Sequence, residues 1–164
     1  MARFRAGLVA VAAGTLAVAV GWWSASDPAA HAATVISTVD GDTIVVEYRD
    51  GRRETVRILG IDTPETKHPT DGVECFGPEA AAHTRRRLLG RAVRVGLDVE
   101  TVDRYGRRLA HIEIDGRSFA DELLELGLAR LLVIEPNDRG ARRLLAIELE
   151  ARAARIGLWG ACSE

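Results

Sequence analysis

The order of strand-like and helix-like segments after residue 33 is the feature that most restricts how this chain can fold. β-Branched residues cluster or alternate at 35–38, 43–48 and 54–61, and an Asp-Gly pair predicts a hairpin turn between the second and third of these strands. The remaining predicted elements are a helix at 78–89, strands at 92–97 and 108–114, a helix at 119–126, a short strand at 129–134 and a long helix from 137 or 138 to 156.

Three consecutive antiparallel strands, two further strands and intervening helices are the ingredients of a small barrel. The oligonucleotide/oligosaccharide-binding (OB) fold is the best-known five-stranded design of this kind, although periodicity alone also permits other α+β packings. We therefore predict an α+β fold that is mainly β, with a five-stranded OB-fold barrel and three helices. This fold occupies residues 33–164 as one domain.

The first 32 residues differ in composition from the rest of the chain. Arg3 and Arg5 form a basic start, residues 7–23 are almost wholly apolar, and residues 30–32 (Ala-His-Ala) have the small-x-small pattern of a cleavage site. This layout predicts a signal peptide over residues 1–32 and a secreted, extracellular product. The alternative is an uncleaved membrane anchor, because the apolar stretch nearly reaches the length that spans a bilayer.

The net charge argues against a protein that coats nucleic acid without specificity. Removing residues 1–32 takes away two arginines and one aspartate, so that the net charge of −2 becomes −3. Non-specific affinity for phosphate needs a basic footprint. Any contact with phosphate must therefore be local, through a few arginines or a metal ion.

Cys75 and Cys162 are the only cysteines in the sequence. An even number of cysteines behind a signal peptide predicts a disulfide bond, which would tie the C-terminus to the loop that follows Glu65. The alternative is a pair of free thiols.

Two aspartates lie at the ends of the predicted hairpin strands. Asp42 precedes the second strand and Asp62 follows the third. Because the start of one antiparallel strand lies beside the end of its partner, we expect both carboxylates at one rim of the sheet. Two carboxylates and a backbone carbonyl suit Ca²⁺ or Mg²⁺ better than zinc. The alternative is that Asp40 and Asp42 only stabilise turns.

Arg57 and Arg107 are candidates for binding a phosphodiester. A guanidinium presents a fork of donors that matches two phosphate oxygens, so two of them beside a cation would stabilise the charge of a transition state. Alternatively, each forms a surface ion pair of small energy. Glu65 is held at a set distance from Asp62 by Pro64 and could activate or orient a water. Otherwise it is a capping or loop-surface residue.

These candidates fall in five ordered motifs. The motifs are DGDT at 40–43, RILGIDTPETKHP at 57–69, GVECFGPEA at 72–80, DRYGR at 103–107 and GLW at 157–159. In them, and over nearly all of residues 34–160, the chain resembles the staphylococcal (thermo)nuclease family, as a secreted bacterial-type member. The resemblance implies a five-stranded barrel with three helices and a Ca²⁺-dependent phosphodiesterase acting on DNA and RNA.

The resemblance also implies a role for each site residue. Asp42, Asp62 and the backbone carbonyl of Thr63 are implied as calcium ligands, Glu65 as the water-activating carboxylate, Arg57 and Arg107 as phosphate clamps, and Arg104 with Tyr105 as contacts to a neighbouring phosphate. The implied reaction is in-line attack by water, expulsion of the 5′ oxygen and release of 3′-phosphorylated products. We expect a monomer with no stable protein partner.

Two features depart from the family pattern. Members can carry tyrosines after the late short strand, whereas residues 131–134 here are Leu-Leu-Val-Ile. Base stacking contributes about 1–3 kcal/mol per base, so their absence predicts weaker nucleotide affinity or a changed base preference. The cysteine pair is the second departure. The alternative function is a catalytically silent OB-fold module that binds nucleic acid or protein, although all six catalytic and metal positions carry the expected residue types.

Overall fold

The computed structural model describes residues 30–66 and 72–162. The strands are β1 (Ala30–Thr38), β2 (Thr43–Tyr48), β3 (Arg53–Ile58), β4 (Gly60–Asp62), β5 (Ala92–Val102), β6 (Arg108–Ile114), β7 (Arg117–Ser118) and β8 (Arg130–Leu132). The helices are α1 (Gly77–Leu88), α2 (Phe119–Glu125), α3 (Ala141–Ala153) and the short α4 (Leu158–Ala161). Within these two ranges, no helix has the length and hydrophobicity needed to cross a membrane.

Five of the strands form the predicted barrel. They are neighbours in the order β3-β2-β1-β5-β6, each antiparallel to the next. The sheet closes where β3 runs parallel to β6, with Val56 opposite Arg108 and Ile58 opposite Ala110. With α1, α2 and α3, this confirms the α+β, five-stranded barrel with three helices. The two-residue β7 extends the sheet beside β6, and β4 pairs with β8 as a separate ribbon.

The barrel interior is filled by alternate strand residues and by one face of α2. Its completely buried members include Ile44, Val46, Val56, Ile58, Phe119 and Leu123. Burying a large apolar side chain contributes about 1.5–3 kcal/mol. Ser118 is the N-cap of α2, and its Oγ accepts the Asp121 N–H at 3.3 Å. The barrel is therefore a rigid support for the residues at its rim.

The segment predicted as one strand at 54–61 is two strands in the structure. β3 ends at Ile58 and β4 begins at Gly60, whose φ of 86° lies in the left-handed region that favours glycine. A Cβ at Gly60 would also lie 2.5 Å from Cδ1 of Leu144 on α3. This break turns β4 away from the barrel sheet towards β8, and Asp62 is the last residue of the redirected strand.

β1 begins earlier than predicted, inside the predicted signal peptide at 1–32. Residues 30–32 pair with β5, and Ala30 lies opposite Gly96 while Ala32 lies opposite Arg94. The rest of the predicted signal peptide lies outside the described residues. The signal peptide therefore stays a prediction.

The last long helix begins at Ala141, later than the predicted start at 137 or 138. Asn137 does not start a helix because its side chain bonds the main chain of Glu100. Its Oδ1 accepts the Glu100 N–H at 2.8 Å, and its Nδ2 donates to the Glu100 carbonyl at 2.9 Å. The helix ends at Ala153, and the sequence did not predict the short α4 that follows.

Candidate active site

Asp42 lies in the turn before β2, with its side chain buried. Its Oδ1 accepts a hydrogen bond from Thr43 Oγ1 at 2.9 Å, and its Oδ2 accepts the Thr63 N–H at 3.0 Å. Its carbonyl accepts the Ile58 N–H at 2.9 Å. The close approach depends on Gly41, because a Cβ there would lie 2.6 Å from Thr63 Oγ1. Asp42 and Thr63 are therefore held together although they are far apart in the sequence.

Asp40 has the turn-stabilising role that was the alternative interpretation for both aspartates. Its Oδ1 accepts the Asp42 N–H at 3.1 Å, which is an Asx turn. Asp42 contacts Thr63 and Arg57 as well, so turn stabilisation does not account for it.

Arg57 lies on β3 and is only 5% exposed. Its Nη1 donates to the carbonyls of Ile58 and Ile61, at 2.7 Å each. Its Nη2 contacts Asp62 Oδ1 at 2.7 Å and Asp42 Oδ2 at 3.2 Å. A single guanidinium nitrogen therefore bridges the two carboxylates. The structure thus brings both aspartates to one rim of the barrel, through the break before β4 rather than through a continuous strand.

Neighbouring carboxylates affect the pKa values of Asp40 and Asp62. Burial raises the pKa of Asp40 to about 6, and the neighbouring Asp42 carboxylate adds to this rise. Burial also raises the pKa of Asp62; the Arg57 charge opposes this, whereas Asp42 and Glu74 add to it.

This donor set fits a hard divalent cation. Within the part of the chain that the structure describes, no three His, Cys, Asp or Glu side chains form a metal cluster. A cation beside Arg57 would therefore combine the carboxylates of Asp42 and Asp62 with backbone or water oxygens. Such all-oxygen ligation suits a hard divalent cation such as Ca²⁺ or Mg²⁺.

Glu65 is exposed and follows β4. The structure places its main chain against Glu74, whose Oε2 accepts the Glu65 N–H at 2.9 Å and whose N–H donates to the Glu65 carbonyl at 2.9 Å. Gly77 packs on the same segment, since a Cβ there would lie 2.6 Å from the Glu65 carbonyl oxygen. Glu74 is not among the site residues predicted from the sequence, where its only signal is its place in the motif at 72–80.

The turn between β5 and β6 carries the other predicted site residues. Arg107 Nε donates to Asp103 Oδ2 at 2.7 Å, and Asp103 Oδ1 accepts the N–H groups of Tyr105 and Arg107 at 2.9 Å each. Partial burial acts to raise the pKa of Asp103, but these hydrogen bonds together lower it below its usual value. Arg104 Nη2 donates to the Tyr105 hydroxyl at 2.6 Å, and its guanidinium lies 4.8 Å from the exposed ring.

Among the described residues, the Arg107 guanidinium pairs with Asp103 and contacts neither Asp42 nor Asp62. It immediately precedes β6, which is paired with β3 so that Arg57 lies opposite Leu109. The barrel therefore places the two predicted phosphate clamps at the ends of neighbouring strands.

The late strand β8 pairs with β4, so that Arg130 lies opposite Asp62. The Arg130 guanidinium lies 4.5 Å from the Trp159 ring, and that of Arg152 lies 4.1 Å from the same ring. These cation–π contacts join β8 and α3 to the C-terminal α4. The predicted effect of the missing tyrosines on base preference stays a prediction.

The predicted disulfide bond between Cys75 and Cys162 is confirmed, with a Cα–Cα distance of 5.9 Å. It joins the end of α4 to the residue that follows Glu74. The C-terminus is therefore covalently linked to the segment that contacts Glu65.

Known proteins resemble this chain over most of its length. A family model described as "Staphylococcal nuclease homologue" matches residues 55–161. The thermonuclease of Staphylococcus hyicus is 32% identical over 168 residues, covering 97% of this chain and 99% of the relative. The thermonuclease of Staphylococcus intermedius is 35% identical over 136 residues, covering 83% of this chain and 80% of the relative. The endonuclease YncB of Bacillus subtilis (strain 168) is 37% identical over 128 residues, covering 77% and 60%.

The family match includes Arg57, Asp62, Glu65 and Arg107, and the longest of these alignments covers nearly the whole chain. Similarity to thermonucleases and endonucleases suggests nuclease activity on a nucleic acid substrate. The five-stranded barrel agrees with this assignment. The chain belongs to the staphylococcal nuclease family.

Proposed function

We propose that this protein is a Ca²⁺-dependent nuclease that hydrolyses DNA and RNA at the 5′ P–O bond and leaves 3′-phosphate products. The observation that carries the proposal is the position of Arg57 Nη2, between Asp62 Oδ1 at 2.7 Å and Asp42 Oδ2 at 3.2 Å. This geometry supports the proposal because a guanidinium, which can bind phosphate, lies between two carboxylates, which can bind a hard cation. Membership of the family supports a nucleic acid as the substrate.

The residues that would hold the cation are Asp42, Asp62 and the carbonyl of Thr63. When bound, the cation supplies positive charge that polarises a phosphoryl oxygen and balances the charge of the transition state. The hydrogen bond from the Thr63 N–H to Asp42 Oδ2 keeps two of these ligands in register. The carboxylates of Asp42 and Asp62 share a single guanidinium nitrogen of Arg57, which supports a further cation at this position.

Arg57 and Arg107 would bind the scissile phosphate and stabilise its developing charge. Arg57 is held in advance by two main-chain carbonyls and two carboxylates, and its Nη2 would exchange the carboxylates for phosphate when they bind the cation. Arg107 is paired with Asp103 and would exchange that partner for phosphate. Arg104 and Tyr105, on the same exposed turn, would contact a neighbouring phosphate.

Glu65 would take a proton from the attacking water, or orient that water, for in-line displacement of the 5′ oxygen. Its exposed position after β4 gives solvent access to its carboxylate. Its main chain is held close to the aspartates by the short link through Pro64. General-base assistance of this kind contributes about 10²–10⁴-fold to a rate.

We also propose that the protein is secreted after removal of residues 1–32 and acts as a monomer. The disulfide bond is consistent with an extracytoplasmic location. Sequencing the N-terminus of the protein recovered from culture medium and from membranes distinguishes a cleaved signal peptide from an anchor at residues 7–23.

Digestion of single-stranded DNA with Ca²⁺ or with a chelator tests the proposed activity, with Glu65→Gln beside the wild type. We expect cleavage only with Ca²⁺ and a loss of about 10²-fold or more in the variant. Glu79→Gln, which alters an exposed carboxylate on α1, is the matched control and should cleave normally. Binding of DNA without cleavage by the wild type would instead support the catalytically silent module, and cleavage in chelator would contradict the calcium requirement.

A further inference from the structure

Glu65 lies in a segment that belongs to neither a helix nor a strand, yet both of its main-chain groups are bonded. Both bonds go to Glu74: the side chain accepts the Glu65 N–H, and the main-chain N–H donates to the Glu65 carbonyl, each at 2.9 Å. One residue therefore supplies a reciprocal pair of hydrogen bonds to the proposed catalytic carboxylate's backbone. The position of Glu65 depends on the position of Glu74.

Glu74 is itself anchored on its C-terminal side. Its carbonyl accepts the Gly77 N–H at 3.0 Å, which attaches it to the first turn of α1. Gly77 must remain glycine for this packing, because a Cβ would meet the carbonyl oxygens of Glu65 at 2.6 Å and Pro64 at 3.0 Å. The main chain at Glu65 is thus packed directly against the main chain of Glu74 and Gly77.

The disulfide bond adds a second anchor to the same segment. Cys75 follows Glu74 directly and is bonded to Cys162, just after α4. α4 in turn is held by stacking of Arg130 and Arg152 on Trp159. A continuous set of contacts therefore runs from the C-terminal helix through Cys75 and Glu74 to Glu65.

We propose that Glu74 is a positioning residue for Glu65, and that the disulfide between Cys75 and Cys162 keeps Glu74 in place for this purpose. The inference rests on the proposed role of Glu65 in hydrolysis. Glu74 acts through the acceptor oxygen that it offers to the Glu65 N–H, and neither its charge nor cation binding is required. The C-terminal helix thereby contributes to turnover without touching the substrate.

The first test compares Glu74→Gln with Glu74→Ala, because glutamine keeps an acceptor oxygen and alanine removes it. We expect Glu74→Ala to lower kcat about 10–100-fold, since a misplacement of about 1 Å can cost that much, with KM and Ca²⁺ affinity within about twofold of wild type. Glu74→Gln should stay within about threefold of wild type. The matched control Glu79→Ala, on exposed surface of α1, should leave kcat unchanged.

Amide hydrogen exchange at Glu65 gives a readout that does not need nuclease activity. We expect faster exchange of the Glu65 N–H in Glu74→Ala and wild-type exchange in Glu74→Gln. If the wild type cleaves nothing, the proposed function fails, while this exchange pattern still tests the contact between the two residues. Wild-type kcat in Glu74→Ala, or a loss in Glu74→Gln as large as in Glu74→Ala, would overturn the proposal. A loss of Ca²⁺ affinity in Glu74→Gln as large as that in Asp62→Asn would do the same by making Glu74 a ligand.

The second test removes the disulfide with the double variant Cys75→Ser/Cys162→Ser, assayed at a temperature where circular dichroism shows it folded. We expect kcat to fall about 10-fold and the Glu65 amide to lose protection, as in Glu74→Ala. Adding the double variant to Glu74→Ala should lower kcat by less than about twofold more, because both changes break one chain of contacts. Full additivity of the two losses, or wild-type kcat without the disulfide, would refute the coupling.

Discussion

Arg57 and Arg107 are proposed to bind the same phosphate, but their surroundings are very different. The Arg57 side chain is 6% exposed and contacts two main-chain carbonyls and two carboxylates from β4 and the turn before β2. The Arg107 side chain is 32% exposed and pairs with Asp103 in the same turn. Four buried or partly buried contacts, one of them from the separate turn before β2, hold the first arginine, whereas the second is paired within one exposed turn.

This difference separates two ways of preparing a phosphate-binding group. A guanidinium held by several segments is in place before a ligand arrives, and removing it leaves buried polar groups without partners. A guanidinium paired within an exposed turn can exchange its partner at little cost to the fold. We therefore propose that Arg57 serves both stability and phosphate binding, whereas Arg107 serves phosphate binding alone.

Calcium removal should have the largest effect and should act on the site of Asp42 and Asp62, not on the exposed turn of Arg107. We expect a chelator to abolish cleavage of single-stranded DNA, and Mg²⁺ to support little, because Mg²⁺ demands a near-ideal octahedral shell that this open set of ligands does not impose. Ca²⁺ should raise the Tm of the wild type and of Arg107→Lys, but not of Asp62→Asn. Equal turnover in Mg²⁺ and Ca²⁺ would contradict the assignment.

Replacing each arginine by lysine tests the comparison directly. Both Arg57→Lys and Arg107→Lys should lower kcat/KM by about 10²–10³-fold, because a lysine keeps the charge and loses the bidentate geometry. Only Arg57→Lys should also lower the free energy of unfolding, by about 1–3 kcal/mol, since the Ile58 and Ile61 carbonyls lose their donors. Steady-state kinetics and urea unfolding measure the two effects. A stability loss in Arg107→Lys as large as in Arg57→Lys would erase the distinction.

Reduction of the disulfide should destabilise the protein while sparing the aspartates. The bond spans 87 residues in sequence, and the chain-entropy model gives about 4–5 kcal/mol for a loop of that size, as an upper value. We expect dithiothreitol to lower the Tm and to leave the Ca²⁺-induced rise in Tm unchanged, because the barrel itself holds Asp42 and Asp62. A Tm that does not respond to reductant would remove the stabilising role of the bond.

The smallest expected effect concerns the β3–β6 seam, the parallel pairing of β3 with β6 that closes the barrel. Glu54 on β3 accepts hydrogen bonds from Arg108 on β6 at 2.7 and 3.1 Å and from the Tyr48 hydroxyl at 2.9 Å. The Arg108 hydrogen bonds are the main cause that lowers the pKa of Glu54 to about 2, from a usual value of 4.5. Because the folded-state pKa is depressed, the stabilisation is complete above the unfolded pKa and is lost as the pH falls through about 2.

Urea unfolding between pH 5 and about 2 checks this expectation. The wild type should lose stability steadily as the pH falls through the window between those two pKa values. Glu54→Gln should be less stable than wild type near pH 7 and should show a flatter dependence on pH. Parallel curves for the two proteins would show that the β3–β6 seam does not depend on the Glu54 charge.

Much of the fold and part of the site follow from the sequence alone. Alternating β-branched residues and the Asp-Gly turn predict the β2–β3 hairpin, and the hairpin predicts that Asp42 and Asp62 meet. The cysteine pairing follows from there being only two cysteines. The hairpin depends on local residue preferences, and two cysteines can pair in only one way. Both features can therefore be predicted from sequence patterns.

Other features depend on contacts between distant segments. The apolar run up to Ile61 gives no sign of the break at Gly60, because the glycine is required by its backbone angle and by packing on Leu144 of α3. Asn137 is a residue type that favours helix starts, but its side-chain amide hydrogen-bonds the main chain of Glu100 instead. A hydrogen bond between a side chain and the main chain of a distant residue produces no periodic pattern in the sequence.

The parallel pairing of β3 with β6 has a consequence for how the protein folds. β3, which carries Arg57, ends at Ile58, and β6, which follows Arg107, begins at Arg108. These two strands therefore pair only when the barrel closes over a long intervening segment. Non-local pairings of this kind form slowly, because the entropy of the loop must be lost before the contacts are gained. We therefore expect cleavage activity to return in the slowest refolding phase, after the β2–β3 hairpin has formed. The protein would then show no cleavage activity until β3 and β6 have paired.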